Sequence, residues 1–160
     1  RSWADHSCMI TFKNITVSIV LLSSFIFLHI DVYAFCFEEA GMMYNISPSL
    51  LWAIGKGESN FNPNAINWNR NGSFDFGVMQ INSSWRKIIG QKAWLSLRDP
   101  CYNVKVGAWI LSHCITTYGY TWEAVGCYNA KSKTNMSMYS RKIYSILNRC
   151  DLSIFAGNTQ

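Results

Sequence analysis

Acidic side chains are scarce in this chain: 9 Asp and Glu stand against 14 Lys and Arg in 160 residues, for a formal net charge of +5. The imbalance comes from missing acids more than from added bases, so every carboxylate present has to be accounted for. Charged residues make up only 14% of the chain, whereas 49% are hydrophobic and 15% aromatic, which excludes an intrinsically disordered protein. Histidine is nearly absent, with only His6, His29 and His113, and the six cysteines form no Cys-x-x-Cys pair. A multi-histidine metal centre, a zinc ribbon and a thioredoxin-like site are thereby removed, and no metal or cofactor is expected. No repeat, low-complexity tract or Pro/Gly-rich linker divides the later part of the chain, so its length suits one working domain.

Hydrophobicity is concentrated early. Residues 15–30 read ITVSIVLLSSFIFLHI, preceded by Lys13 and followed by Val32-Tyr33-Ala34. A positive flank, an apolar run and a small closing residue are the parts of a secretory signal peptide. Met9 is a sensible initiator, which makes residues 1–8 extraneous to the leader. Residues 1–34 are therefore read as a signal peptide cleaved after Ala34, with an uncleaved anchor as the alternative because the run is slightly short for a span. Either way, 35–160 is expected to work outside the cytoplasm. Disulfides are the default there. However, Cys36, Cys101, Cys114, Cys127 and Cys150 are odd in number, so at least one thiol stays free or pairs elsewhere, and sequence alone does not assign the pairs. A mildly basic, aromatic-rich exported domain suits a large anionic carbohydrate polymer, although the basic balance equally serves solubility. Nucleic acid is not an expected partner.

The domain reads as α+β and predominantly helical. Helices are expected over Phe35–Tyr44, from Ser47-Pro48 onward, from Asp99-Pro100 to Tyr118, after Thr121, and over Tyr139–Leu147, with Ser47, Asp99 and Thr121 as caps. His113 lies on the helical pattern of Val104, Ala108, Leu111 and Ile115 with no serine nucleophile motif nearby, and reads as structural. Residues 60–75 are Asn-rich and read as loop or short strand, and 75–81 as a strand running into a turn. Trp68, Phe74, Trp85 and Tyr128 are candidate stacking faces for sugars, although most aromatics must be core.

Seven acids follow the leader. Glu38 and Glu39 suit a first helical turn, Asp99 and Glu123 suit helix starts, and Asp151 lies near the tail. Glu58 is different. Leu51, Ile54 and Glu58 are spaced three and four apart, so a carboxyl group stands where a core residue belongs. Burial there raises its pKa and keeps it protonated near neutrality, as a general acid requires; the alternative is a helix-terminal Glu turned to water. Asp75 follows 17 residues later on a β element. Two carboxylates in contrasting environments suit glycoside chemistry, and the alternative for Asp75 is a turn aspartate beside Gly77.

Three segments now stand out together: Glu58-Ser59-Asn60-Phe61, Gly77-Val78-Met79-Gln80-Ile81-Asn82, and Trp122-Glu123-Ala124-Val125-Gly126-Cys127-Tyr128-Asn129-Ala130. In order and spacing they resemble the signature segments of lytic transglycosylases. The closest resemblance is to the small single-domain group attached to type III and type IV secretion, conjugation and type IV pilus systems, and it covers Cys36 to Leu147. It implies a lysozyme-like fold with a groove between a helical lobe and a β element, and a monomer acting on peptidoglycan glycan strands as part of an envelope-spanning apparatus. The matching positions imply Glu58 as the catalytic acid/base, Ser59 orienting it, Met79, Gln80, Tyr128 and Asn129 along the substrate groove, and Asp75 resembling the second carboxylate of lysozymes. The implied reaction cleaves between N-acetylmuramic acid and N-acetylglucosamine and leaves a 1,6-anhydro sugar. Hydrolysis by a lysozyme-type muramidase and a catalytically weak wall-binding role are the alternatives. The resemblance also implies a Cys36–Cys101 disulfide, with a Cys114–Cys150 bridge as a guess. The family's Ala-Tyr-Asn-Ala-Gly reads Cys127-Tyr128-Asn129-Ala130-Lys131 here. Cysteine is small enough to replace alanine in a packed helix, whereas lysine replaces glycine poorly wherever a positive φ is needed.

Overall fold

The computed structural model describes the backbone of residues 31–156 and the side chains of 37–149. The chain divides into two compact units, Arg1–Phe35 and Cys36–Gln160, and the second holds nearly all of the described residues. The leader expected over 1–34 lies outside them, except that 31–34 are helical.

Six helices and one small sheet are described: α1 (Asp31–Tyr44), α2 (Pro48–Ser59), β1 (Ile66–Trp68), β2 (Phe74–Phe76), β3 (Ile81–Asn82), a 3₁₀ turn (Ser83–Trp85), α3 (Arg86–Ser96), α4 (Pro100–Tyr118), α5 (Trp122–Asn129) and α6 (Lys133–Ala156). The strands form an antiparallel sheet in the order β1-β2-β3, with Asn67 opposite Asp75 and Asp75 opposite Asn82. This is the α+β, mostly helical architecture that the resemblance implies. None of the described helices is long and apolar enough to cross a membrane.

The local signals explain most of these boundaries. Asp99 accepts a hydrogen bond from the Tyr102 N–H at 2.8 Å, and Pro100 fixes the first φ of α4. The Thr121 hydroxyl accepts from the Ala124 N–H at 3.4 Å and starts α5. Ser47 makes no side-chain cap, so Pro48 alone sets the start of α2. At its other end α2 closes on Asn60 in the left-handed region (φ 53°), whose N–H reaches back to the Gly55 and Lys56 carbonyls.

Two helices depart from the sequence reading. α3 was not anticipated: Gly90 at φ 84° kinks it, and none of its residues is buried, so no apolar period survives to be read. α6 begins at Lys133 rather than Tyr139, because a polar first stretch of Thr, Asn and Ser hides its helical phase. Glu38 and Glu39 also fall inside α1 rather than in its first turn. Glu39 pairs with Lys105 of α4 at 2.8 Å, an exposed link that contributes on the order of 0–1 kcal/mol.

The core gathers Leu51 and Ile54 from α2, Met79 and Ile81 from the sheet region, Leu111 from α4 and Ile143 from α6, each at most 1% exposed. α6 packs on α5 and α2, and α5 packs on α4. One polar side chain is fully buried among them, Asn103 of α4. Its Oδ1 accepts from the Met79 N–H at 2.8 Å, and its Nδ2 donates to the Phe76 and Leu97 carbonyls at 3.2 and 3.3 Å. It is thus the clamp between the sheet and the helices. Gly77 permits the approach, since it adopts φ 79° and a Cβ there would lie 2.2 Å from the Asn103 Nδ2.

Asn103→Ala strands a buried N–H and two carbonyls, at about 1–3 kcal/mol for each unsatisfied group. It is therefore expected to lower unfolding stability by about 3 kcal/mol or more in urea titration, with m unchanged.

Candidate active site

A cleft of about 960 Å³ opens between the C-terminal end of α2, the sheet and the C-terminal end of α5. Strand alternation places Asp75 on its wall and turns Phe76 into the core. Phe74 faces a separate hollow with Trp94, where Trp68, Phe74 and Trp94 form a ladder with ring spacings of 5.0 and 5.9 Å. Of the four candidate stacking aromatics, Trp85 and Tyr128 line the cleft, whereas Trp68 and Phe74 belong to this ladder.

Glu58 lies in the last turn of α2 and lines the cleft. Its position below Leu51 and Ile54 leaves it half-buried, and this desolvation is the main reason its pKa is raised above the ordinary value of 4.5. Two contacts oppose the shift: the Tyr139 hydroxyl donates a short hydrogen bond to Oε1, and the Lys142 ammonium attracts the carboxylate. The negative charge of Asp75 adds to it. Lys142 is itself held on the Gly57 carbonyl at 2.6 Å.

Asp75 is in the middle of β2, with Oδ1 accepting from Asn82 Nδ2 at 2.7 Å and Oδ2 from Asn69 Nδ2 at 3.0 Å. The turn-aspartate reading is thereby replaced: Asp75 is a strand residue held by amides from both sides. One cleft therefore presents a desolvated carboxyl group and an amide-bonded carboxylate.

The remaining expected residues divide. Gln80, in the left-handed region at φ 48°, lines the cleft and joins the β1 and β3 ends, accepting from Asn67 at 2.6 Å and donating to the Gly77 carbonyl at 2.8 Å. Asn129 is exposed on the cleft wall. Tyr128 donates its hydroxyl to the Met79 carbonyl at 2.7 Å and stacks on Tyr139 with centroids 6.4 Å apart. Burial lifts both tyrosines well above their ordinary pKa, so both stay hydrogen-bond donors at physiological pH. Met79 departs from expectation. Its side chain is fully buried against Gly107, and only its carbonyl reaches Tyr128. Ser59 departs too: its hydroxyl donates to the Val78 carbonyl at 2.8 Å, which ties α2 to the sheet region rather than orienting Glu58.

Tyr139 and Lys142 were missed by sequence reasoning. Tyr139 shares the buried side of α6 with Ile143, and its hydroxyl on that core-facing side is the available signal. The disulfide guess is also corrected. Cys114 pairs with Cys127, joining α4 to α5 with Cα atoms 5.8 Å apart. Cys101 is disulfide-bonded, and the side chains of Cys36 and Cys150 lie outside the described ones. Lys131 does not adopt a positive φ, so the loop after α5 has no need of glycine at this position.

The transglycosylase SLT domain family matches residues 35–143. The chain is 46% identical over 120 residues to the invasion protein IagB of Salmonella typhimurium, covering 70% of this chain and 74% of that one. It is 42% identical over 116 residues to protein IpgF of Shigella flexneri (68% and 76%), and 35% identical over 128 residues to a peptidoglycan-binding-like protein of Escherichia coli O157:H7 (71% and 77%). The chain belongs to the SLT transglycosylase family. Within that class it is a small lytic transglycosylase, an enzyme that cleaves glycosidic bonds by a lyase-type route.

The opposing influences on Glu58 can be separated by following its carboxyl carbon through a pH titration. Tyr139→Phe is expected to move the midpoint up, because it removes a bond to the ionised form, and Asp75→Asn to move it down. Stability follows the same linkage. Above the unfolded-state pKa the unfolded chain releases a proton that folded Glu58 retains, so the wild type loses stability as pH rises towards the folded pKa. Glu58→Gln is expected to remove this slope, and a stability difference between the two proteins that does not change with pH would contradict it.

Proposed function

We propose that the enzyme cleaves the β-1,4 bond between N-acetylmuramic acid and N-acetylglucosamine in peptidoglycan and leaves a 1,6-anhydromuramoyl end. The observation that carries this reading is the single desolvated carboxyl group of Glu58, poised between Tyr139 and the open cleft.

Desolvation raises the pKa of Glu58 and favours its protonated form, so it can give its proton to the glycosidic oxygen as the bond to the anomeric carbon breaks. The carboxylate so formed is met at once by the Tyr139 hydroxyl and the nearby Lys142 charge. It then takes the proton of the muramoyl 6-hydroxyl as that oxygen bonds to the anomeric carbon. Glu58 ends as it began, and no water is consumed. Asp75, fixed by Asn69 and Asn82, supplies negative charge to the same cleft while positive charge develops on the sugar. Tyr128, Asn129 and Gln80 supply the surrounding wall, and Ser59 holds the segment before Gln80 against α2.

The wider role follows from chemistry and company. A peptidoglycan strand lies outside the cytoplasm, where the leader would send the domain. Relatives named as an invasion protein and as peptidoglycan-binding-like support an enzyme that opens the wall locally for an envelope-spanning secretion apparatus. The presence of Asp75 in the cleft favours hydrolysis as the second reading, with water attacking in place of the 6-hydroxyl.

Digestion of purified sacculi decides between these. Wild type is expected to release muropeptides whose ends are one water lighter than reducing ends, and Glu58→Gln to lose at least about a hundredfold in rate, the lower range for removal of a general acid. Reducing ends would establish hydrolysis instead, and equal release by wild type and Glu58→Gln would remove Glu58 from the chemistry.

A further inference from the structure

A second groove, of about 980 Å³, runs along the other side of α5, between the end of α4 and α6. Its floor is Met136 and Ser140, and the Ser140 hydroxyl bonds the Trp122 carbonyl at 2.5 Å, which fixes α5 against α6. Its walls are unusual for a solvent-facing surface. Trp122 and Tyr144 meet edge to face with centroids 5.3 Å apart, yet remain 41% and 50% exposed, and Tyr118 joins them at 44%. Three exposed cations, Lys131, Lys133 and Arg141, face the same space, against Glu123 as the one acid among its lining residues. None of these groups takes part in the chemistry of Glu58.

Two further facts identify what the groove fits. Lys131 lines both the groove and the catalytic cleft, so the two adjoin at the end of α5. The groove then follows α5 from Lys131 back to Trp122, a helix of 8 residues and therefore about 12 Å. An extended peptide rises about 3.3 Å per residue, so roughly four residues span that length. A short, anionic and partly apolar branch of whatever fills the cleft would match this length and lining.

We propose that this groove binds the peptide stem of the same glycan strand whose sugar backbone occupies the catalytic cleft, with Lys131, Lys133 and Arg141 meeting its carboxylates and Trp122, Tyr144 and Tyr118 its side-chain methyl and methylene groups. The inference rests on the peptidoglycan reading above. It makes the enzyme selective for strands that still carry stems over strands from which an amidase has removed them.

Two measurements test it. In the first, stem-bearing and amidase-denuded strands are titrated against Glu58→Gln protein, which holds substrate without turning it over. Binding is expected to favour stem-bearing strands by about tenfold, the sum of a few exposed charge and aromatic contacts. That preference should shrink towards unity between 0.05 and 0.5 M salt (order-of-magnitude limits set by a Debye length of about 10 Å at 0.1 M). Adding Lys133→Ala and Arg141→Ala to this protein is expected to abolish it. In the second, kcat and KM of the otherwise wild-type enzyme and of its Lys133→Ala/Arg141→Ala form are compared on both strands, with the loss expected in KM for stem-bearing strands. Equal binding of the two strands, or a preference that survives the double substitution, overturns the stem site. A binding preference without release of anhydro products overturns the transglycosylase reading instead and leaves the groove assignment standing.

Discussion

Glu58 occupies the half-buried end of an otherwise apolar helical face, and the desolvation imposed there is the constraint around which the domain is arranged. A carboxyl group in that position has to stay protonated or be given partners when it ionises. The structure supplies partners from α6, a helix far away in sequence: Tyr139 as a donor and Lys142 as a charge. They soften the desolvation without cancelling it, since the pKa remains raised. A group so balanced can give up a proton and take one back, each once in a turnover, as a lone acid/base must.

The same constraint explains why so small a sheet is held so firmly. Strands of two or three residues have little stability of their own, yet Asp75 must stay near Glu58 for its charge to matter. Helical side chains supply what the ladder lacks. Asn103 bonds both the strand β2 and the turn after it, Tyr128 holds the Met79 carbonyl, and Ser59 holds that of Val78. Met79 is thereby an anchor of the groove wall rather than a part of it. A motif residue can be required because its backbone is bonded and its side chain buried, with no contact to substrate.

How much of this was legible follows from the kind of signal involved. Asp99-Pro100 and Thr121 mark helix starts because a cap is a local interaction, complete within four residues. The three-and-four spacing of Leu51, Ile54 and Glu58 is likewise local, and it exposed the anomalous acid without any structure. The kinked α3 and the polar start of α6 have no apolar period, so sequence reading passed over both. Partners across space were illegible for a different reason. Tyr139 lies 81 residues from Glu58, and nothing in its stripe distinguishes a tyrosine that bonds an acid from one that fills a core. The resemblance to known signature segments singled out Ser59 and Met79, but a motif does not say that one bonds the Val78 carbonyl and the other is buried against Gly107.

The departure from the family's motif at Cys127 shows how a chain can alter a signature segment and keep its geometry. α5 has only 8 residues, too few to be stable alone, and it carries Tyr128 and Asn129 on one side and Trp122 at its start. Its position therefore depends on what ties it down. Alanine at 127 would contribute packing only. Cysteine fits the same space and adds a covalent tie to Cys114 on α4, across a separation of 13 residues, for which loop-closure entropy alone predicts about 3 kcal/mol. With Ser140 bonding its first carbonyl and Tyr128 bonding the Met79 carbonyl, α5 is restrained along its whole length. Both grooves of the enzyme use this helix as a shared wall, and Lys131, at its end, faces both. A rigid α5 is thus what allows a strand in one groove and its branch in the other to be held in a single register.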